Sequence, residues 1–161
     1  MDIQYEIRFH TDWHCGSGLS AGADVDALVI KNALNLPFVP GKTIKGLVRE
    51  AVEEIRALKG IDDNELSAAF GTECTSSGEG LRGTMFFTDA SLNEAESNAI
   101  VAGKLTRFMY RSIASTAIGE DGIATEHSLR KMQVTVPCVL TGRILNVPEA
   151  IADEITTSLK F

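Results

Sequence analysis

The stretch LPFVPGKTIKGLVREAVEEIRALKG, residues 36–60, decides how the chain folds. Two prolines make its beginning a rigid turn, and Pro40 biases Val39 away from helical backbone angles, so a helix cannot easily begin earlier. From about Thr43 onward apolar residues recur at helical spacing, and Gly60 ends the pattern. The apolar stripe consists of Ile44, Leu47, Val48, Ala51, Ile55 and Leu58. The stretch therefore predicts one long amphipathic helix.

Positive charge gathers on another face of this helix. Lys45, Arg49 and Arg56 fall within a sector of about 40° at ~100° per residue, and Lys42 extends it. Lysines and free amides at a helix N-terminus suit one phosphate of a nucleic-acid backbone. A Walker A phosphate loop is excluded, because Leu36 occupies its first glycine position and two prolines remove backbone donors.

Patterns on both sides of the helix predict strands. Residues 3–9 alternate between apolar and polar, which is typical of a half-buried strand. Further strands are predicted over residues 25–30, 84–88, 134–140 and 143–145, a short helix over residues 65–70, a capping box at Ser91 and Glu94, and a last helix after Pro148. This order predicts an α+β fold, compatible with a ferredoxin-like, RRM-like βαββαβ core that lacks its final strand.

Length and composition predict a single domain over residues 1–161. The 161 residues are 44% apolar and 23% charged, which excludes a disordered chain. No apolar run approaches the ~20 residues that span a bilayer. Three widely spaced cysteines without a CxxC pair argue against a disulfide framework or a structural zinc site and fit a reducing cytoplasm. Residues 103–130 carry few regular signals and are predicted to form an irregular insertion, with a turn at residues 119–122.

The charge pattern leaves two interpretations open. A net charge of −7 argues against a free-standing nucleic-acid binder. Cations nevertheless outnumber acids over residues 31–59 and 104–143, and a fold that brings these segments together would have one positive face. The alternative is that these charges are ordinary solvated surface. The segment RGTMFF, residues 82–87, is weakly similar to the aromatic RNA-binding strand of RRM domains, but Thr84 replaces its first aromatic residue, so Phe86 or Phe87 is expected in the core.

Several segments come in an order that resembles one family. They are WHCGSG (13–18), VDALVIKNALNLPFVPGKTIKGLVREAVEE (25–54), FG (70–71), GTMFFTDASL (83–92) and GIATEHSLRKMQVTVPCVLTGRI (122–144). Together they resemble the RAMP superfamily of type III CRISPR effector complexes over residues 3–145. The specific part is P-G-K-T-I-K-G-L-V-R. Lys-Thr at residues 42–43 and the sequence DWHCGSG favour a type III-D-like member.

The resemblance implies an RRM-like subunit that binds guide RNA along its backbone and packs with other effector subunits in antiviral defence. An insertion at the place of residues 103–130 lies across the guide and interrupts its pairing with target RNA in this family. No tightly bound cofactor is expected. The residues implied or favoured for RNA binding are His14, Lys42, Thr43, Lys45, Arg49, Arg107, Arg111, Arg130 and Lys131.

The resemblance also raises an enzymatic alternative. In some family members an Asp before the apolar strand cuts target RNA with a divalent metal, and Asp26 stands at that position, with Asp24 a nearby alternative. A lone carboxylate can hold Mg²⁺ or orient the attacking 2′-hydroxyl. Other members keep the fold without cutting. The chain is therefore expected to be either a guide-binding subunit or a metal-dependent endoribonuclease of the same kind of complex.

One departure concerns the end of the sequence. The family usually adds a glycine-rich loop and a closing strand after the last helix, whereas here the last glycine is Gly142. Either the sequence is a fragment or the final strand is lost. A truncated sheet has an open edge, which favours association with a partner or with a second copy.

Overall fold

The structure is a computed structural model that describes residues 1–22, 24–62, 64–72 and 80–160, with the side chain of Asn64 left out. The elements, in chain order, are β1 (Ile3–Arg8), β2 (Phe38–Val39), α1 (Gly41–Lys59), α2 (Asn64–Phe70), β3 (Phe86–Phe87), β4 (Ala90–Ser91), α3 (Glu94–Ala102), a 3₁₀ helix (Thr106–Met109), β5 (Tyr110–Ser115), β6 (Arg130–Thr135), β7 (Val139–Leu145), a second 3₁₀ helix (Glu149–Ile151) and α4 (Ala152–Ser158).

The strands form two sheets. The larger sheet has the order β1-β7-β4-β2, and β3 pairs antiparallel with β7, with Phe86 opposite Leu145. The smaller sheet is the antiparallel pair β5-β6. Helices and antiparallel sheets together confirm the predicted α+β class. The strand expected over residues 25–30 is wrong in detail, because that segment makes isolated bridges, one of them a parallel bridge from Ala27 to Met132.

Helix α1 begins and ends close to the predicted positions, but its buried face differs. Gly60 terminates the helix with a φ of 67°, the left-handed conformation that glycine adopts readily. Leu47 and Leu58, predicted to be core, are 59% and 89% exposed. Arg56, predicted on the cationic face, is 2% exposed. The buried positions are Gly41, Ile44, Val48, Val52 and Arg56.

Arg56 can be buried because acidic and carbonyl groups surround its guanidinium. Its Nε lies 2.7 Å from Oε2 of Glu154, and Nη2 lies 3.1 Å from Oε2 of Glu65. Its Nη1 donates to the carbonyl oxygen of Asp62 at 2.8 Å. The hydrogen bond that Arg56 donates to Glu154 is the largest cause that raises the pKa of Arg56. The prediction that Arg56 contributes to a cationic surface is therefore wrong.

The chain divides into two compact units by its internal contacts. The first unit takes its described residues from 1–6, 39–90 and 141–161, and the second from 7–38 and 91–140. The core of the first unit includes Val52, Leu66, Phe70, Ile144 and Ile155. That of the second includes Leu36, Val134, Leu140 and the ring of Trp13, which stacks on Phe9 with a centroid distance of 4.1 Å. The single domain expected from length stays a prediction.

The segment expected to be irregular contains a regular hairpin. Strands β5 and β6 pair over six residues each, from Tyr110 opposite Thr135 to Ser115 opposite Arg130. Beyond them the chain turns at Gly122, with a φ of 75°, and Ile118 bridges Ala124. The strand signals were missed because most of these side chains are exposed, so their polarity does not alternate.

The expected capping box lies elsewhere. Helix α3 is capped by Asn93, whose side-chain oxygen accepts a hydrogen bond from the N–H of Glu96 at 2.8 Å. Ser91, predicted as the cap, belongs to β4. Asn is as good a capping residue as Ser, so composition alone did not separate the two positions.

Candidate nucleic-acid interface

The N-terminus of α1 is built on a close approach to β3. A Cβ atom added to Gly41 would lie 2.2 Å from the carbonyl oxygen of Phe87, so only glycine fits there. The N–H of Gly41 donates to Oδ1 of Asp89 at 2.8 Å. A carboxylate therefore already occupies part of this helix terminus. The positive charge at this end comes from the side chains of Lys42 and Lys45 rather than from free amides.

These lysines line a groove of about 700 Å³ in the first unit. Its described lining also includes Arg82, but no Asp or Glu, although the whole chain carries a net charge of −7. Among the described residues, no ion pair engages Lys42, Lys45 or Arg82. The remaining described lining residues are Gly41, Phe70, Thr72, Gly80, Leu81, Gly83, Thr84, Met85, Phe86, Phe87 and Asn146. The charged side chains of the groove's described lining are therefore all cationic, in a protein that is acidic overall.

Two glycines hold the wall of the groove against the end of α2. A Cβ at Gly83 would lie 2.4 Å from the carbonyl oxygen of Ala69, and Gly71 has a φ of 84°. Gly71 bridges Arg82, and the N–H of Thr72 donates to the carbonyl oxygen of Leu81 at 2.9 Å. The backbone that carries Arg82 is therefore fixed before any ligand binds, which reduces the entropy cost of binding.

Arg49 supports this wall. Its Nε lies 2.7 Å from Oε1 of Glu53, and its Nη1 donates to the carbonyl oxygen of Gly71 at 3.3 Å. The charge of Arg49 is therefore partly matched within the protein. Thr43 is exposed in the first turn of α1 but is not among the described residues that line the groove.

The second unit brings together His14 and Asp26, two of the residues selected from the sequence. Both line a pocket of about 440 Å³, whose other described members are Gly16, Gly18, Leu19, Ser20, Ala27 and Leu28. The Nδ1 atom of His14 lies 2.7 Å from the carbonyl oxygen of Gln133. If that nitrogen carries the proton, Nε2 remains an acceptor. Asp24, the alternative carboxylate, is exposed, and its N–H donates to the carbonyl oxygen of Ala21 at 3.3 Å.

The hairpin carries three of the remaining selected cations. Arg130 and Lys131 are exposed and consecutive on β6, so they point to opposite faces of the β5-β6 sheet. Arg111 on β5 forms an ion pair with Asp12, and this hydrogen bond is the main cause that raises the pKa of its guanidinium. Arg111 is therefore less available for a phosphate than Arg130 and Lys131.

Two further cations lie against aromatic rings. The guanidinium carbon of Arg107 lies 4.6 Å from the centroid of the Phe108 ring, and Phe108 is 58% exposed. The Nζ of Lys31 lies 4.2 Å from the centroid of Tyr110. Of the two pairs, Arg107 and Phe108 are exposed, and an exposed cation beside an aromatic ring can bind bases and phosphates together. Lys31 was not selected from the sequence, because the ring it contacts lies far along the chain.

The chemistry of the described groups is limited. No group of three or more His, Cys, Asp or Glu side chains among the described residues could hold a metal ion. Burial raises the pKa of Cys15, and it is the largest cause of the raised pKa of Cys138, so both thiols stay protonated near neutral pH. Cys74 lies outside the described residues. A magnesium ion held by Asp26 alone would need phosphate oxygens and water to complete its shell, since Mg²⁺ commonly takes one or two carboxylates.

The family follows from comparison with known proteins. The family model described as "RAMPs: RAMP superfamily" matches residues 6–158. The chain belongs to the RAMP superfamily. This confirms the family suggested by the motif order. The type III-D-like assignment stays a prediction.

A solved structure supports the fold of this RAMP protein. The chain is similar to a chain in "Cryo-EM structure of the Type III-B Cmr-beta bound to cognate target RNA", with a TM-score of 0.69 and 8% identity. The match covers 98% of this chain and 88% of that chain. No curated protein sequence matches. Within the described part of the chain, no helix combines the length and apolar character needed to cross a membrane.

Proposed function

We propose that this RAMP protein is an RNA-binding subunit of a type III CRISPR effector complex and contacts the guide RNA backbone. The groove at the start of α1 is the observation that carries the proposal. Lys42, Lys45 and Arg82 line it without a described acid, in a chain that is acidic overall. Phosphate contacts supply most of the sequence-independent affinity of RNA-binding proteins, and such contacts need cations without internal partners.

The second unit supplies further cations for the same role. Arg107, Arg130 and Lys131 are exposed, the last two on strand β6. Target RNA and other effector subunits are the further partners of this proposal. Membership in the superfamily and the likeness to a chain of a type III-B complex support it. A cytoplasmic location and association with a second copy stay predictions.

Fluorescence anisotropy with a labelled single-stranded RNA of guide length tests the proposal. The double variant K42E/K45E places two acids in the groove. Because acids favour the N-terminal turn of a helix, this variant is expected to stay folded. K59E/K160E is the matched control, since it changes the net charge equally at two exposed lysines outside the described lining of the groove.

We expect K42E/K45E to weaken RNA binding at least tenfold and to flatten its salt dependence, by roughly 0.7 in the logarithmic slope per lost phosphate contact. The control should lose much less affinity. Equal affinity of K42E/K45E and the unmodified protein, measured in an assembled complex, would show that the groove does not bind guide RNA.

The alternative is a metal-dependent endoribonuclease, favoured by the pocket that joins His14 and Asp26. Asp26 would hold Mg²⁺ together with RNA phosphates, and the ion would supply charge stabilisation at the cut phosphate. His14 lines the same pocket, and with the proton on Nδ1 its Nε2 can accept a proton from the attacking 2′-hydroxyl. Cleavage that needs no magnesium, or full activity of D26A, would contradict this alternative.

A further inference from the structure

The groove in the first unit has an apolar wall in addition to its cations. Phe86 and Phe87 are consecutive on β3, so their side chains point to opposite faces. Phe87 is 7% exposed and packs in the core, where its ring lies 6.0 Å from that of Phe70. Phe86 is 55% exposed, and both residues are among those that line the groove. The sequence pattern allowed either residue to be the core one, and the structure gives that role to Phe87.

The surroundings of Phe86 are not those of an ordinary surface aromatic. Phe86 lines one groove together with Lys42, Lys45 and Arg82, and with the exposed residue Asn146. Asn146 adopts a φ of 58°, and its N–H is held by Oδ1 of Asp2 at 3.1 Å. Its amide side chain offers a donor and an acceptor beside the aromatic ring, a combination suited to the edge of a base.

We propose that this groove binds a nucleotide of single-stranded RNA with its base stacked on Phe86 and its phosphates at Lys42, Lys45 and Arg82. The inference rests on the proposed function and adds a base contact to the expected backbone contact. An exposed aromatic among cations that form no ion pair within the described structure is the physical signature of a single-strand site, because every base has a face that can stack. A volume of about 700 Å³ leaves room for one nucleotide and part of its neighbours.

A probe with phosphates only and a probe with bases separate the base contact at Phe86 from the phosphate contacts at the cations. The probes are single-stranded RNA and inorganic polyphosphate of similar length, with the full chain titrated against each. Phe86→Ala should weaken RNA binding about tenfold, the typical value of one stacked base, and leave polyphosphate binding unchanged. K42E/K45E should weaken both. The matched control is Leu58→Ala, which removes an 89% exposed apolar side chain from α1 and should change neither.

Phe86→Trp tests the stack directly. We expect this variant to retain RNA affinity, since indole is as good a stacking surface, and its added fluorescence to be quenched by RNA but not by polyphosphate. The native Trp13 is 9% exposed, so the difference from the unmodified protein reports on position 86.

The outcomes distinguish the inference from the proposed function. If Phe86→Ala leaves RNA affinity unchanged while K42E/K45E weakens it, the stacking inference is wrong and RNA binding stands. If neither change weakens RNA binding, both are wrong. Loss of polyphosphate binding in Phe86→Ala would show that the ring shapes the groove instead of stacking. If Phe86→Ala or K42E/K45E releases a protein subunit from the complex without changing RNA affinity, the groove binds a protein partner and the inference is wrong.

Discussion

Asp26 and Lys131 exchange two hydrogen bonds. The N–H of Asp26 donates to the carbonyl oxygen of Lys131 at 2.9 Å, and the N–H of Lys131 donates to Oδ2 of Asp26 at 2.7 Å. The loop before the apolar segment is thereby fixed to strand β6. The carboxylate keeps a second oxygen for a ligand, so the same residue can have both a structural and a chemical role.

Two substitutions separate these roles. Asp26→Asn keeps an oxygen that can accept from Lys131 but removes the negative charge, whereas Asp26→Ala removes both. If Asp26 acts in cleavage, both variants should lose RNA cleavage in magnesium, while their RNA affinity is preserved. The melting temperature should fall slightly in Asp26→Ala alone, because one net hydrogen bond contributes about 1 kcal/mol.

Cleavage gels and thermal unfolding of the same preparations measure the two effects. Serine in place of Asp24 is the control for a general effect on the loop. If cleavage is lost in Asp24→Ser but persists in Asp26→Ala, the chemical role belongs to Asp24 instead of Asp26.

The buried guanidinium of Arg56 predicts an unequal effect of its two acidic partners. Glu154 is 12% exposed and Glu65 is 63% exposed. Glu154→Ala should destabilise the protein by about 3–5 kcal/mol, because it leaves a buried charge poorly compensated. Glu65→Ala should cost about 1 kcal/mol or less, as exposed ion pairs do.

Urea unfolding of both variants measures this difference. The double variant Arg56→Met with Glu154→Leu should recover most of the loss of Glu154→Ala, because apolar groups can replace a buried pair. Equal losses for Glu65→Ala and Glu154→Ala would show that the guanidinium is solvated in solution.

The local parts of α1 could be predicted from the sequence, and the non-local parts could not. The turn at Pro40 and the end of the helix at Gly60 depend on the backbone angles of single residues, which the residue type at each position predicts. The burial of Arg56 depends on Glu154, which is 98 residues away in the chain. A helical wheel assigns a cation to the surface by default. The predicted buried face therefore included Leu47 and Leu58 and left out Arg56.

The candidate site divides in the same way. Lys42 and Lys45 follow from their position in the first turn of a helix. Arg82 does not, because its place in the groove depends on the contact of Gly71 and Gly83 with backbone atoms. The sequence signal for this contact was the glycine in each of the dipeptides FG (70–71) and RG (82–83). A glycine indicates that another backbone can approach closely, but it does not identify which segment does so.

Tyr5 predicts a loss of stability at alkaline pH. Its hydroxyl is buried without a hydrogen-bond partner in the described structure, and burial, assisted by the charge of Asp89, raises its pKa to about 12. A raised folded-state pKa contributes stability below the unfolded value of about 10, and this contribution is lost as the pH rises from about 10 to 12. Tyr5→Phe should be as stable as the unmodified protein at pH 7, or slightly more stable.

Thermal unfolding between pH 8 and pH 12 tests this prediction. The unmodified protein should lose more stability than Tyr5→Phe above pH 10. Parallel curves for the two proteins over this range would show that the phenol ionises without cost in the folded state. Gly142→Ala is a useful companion, since its Cβ would lie 2.3 Å from the Tyr5 hydroxyl oxygen and should destabilise the protein.

The tip of the β5-β6 hairpin predicts a separation of stability from RNA function. Ile118 and Ile123 are 62% and 66% exposed, and the N–H of Gly119 donates to the carbonyl oxygen of Ile123 at 2.8 Å within the tip itself. Replacing residues 118–123 by an Asn-Gly turn should therefore leave the melting temperature nearly unchanged. Exposed isoleucines can wedge between bases, so the same change should weaken guide binding or displace the cleavage position, even though it also removes the acids Glu120 and Asp121.

The control for this change keeps the length of the hairpin. Ile118→Ser with Ile123→Ser retains the turn and removes its apolar groups. If apolar contact with bases is the role of the tip, the double variant should reproduce most of the RNA defect of the shortened hairpin. If the length alone matters, it should bind RNA normally. A large drop in melting temperature in either variant would contradict the prediction, because it would show that these isoleucines stabilise the folded core.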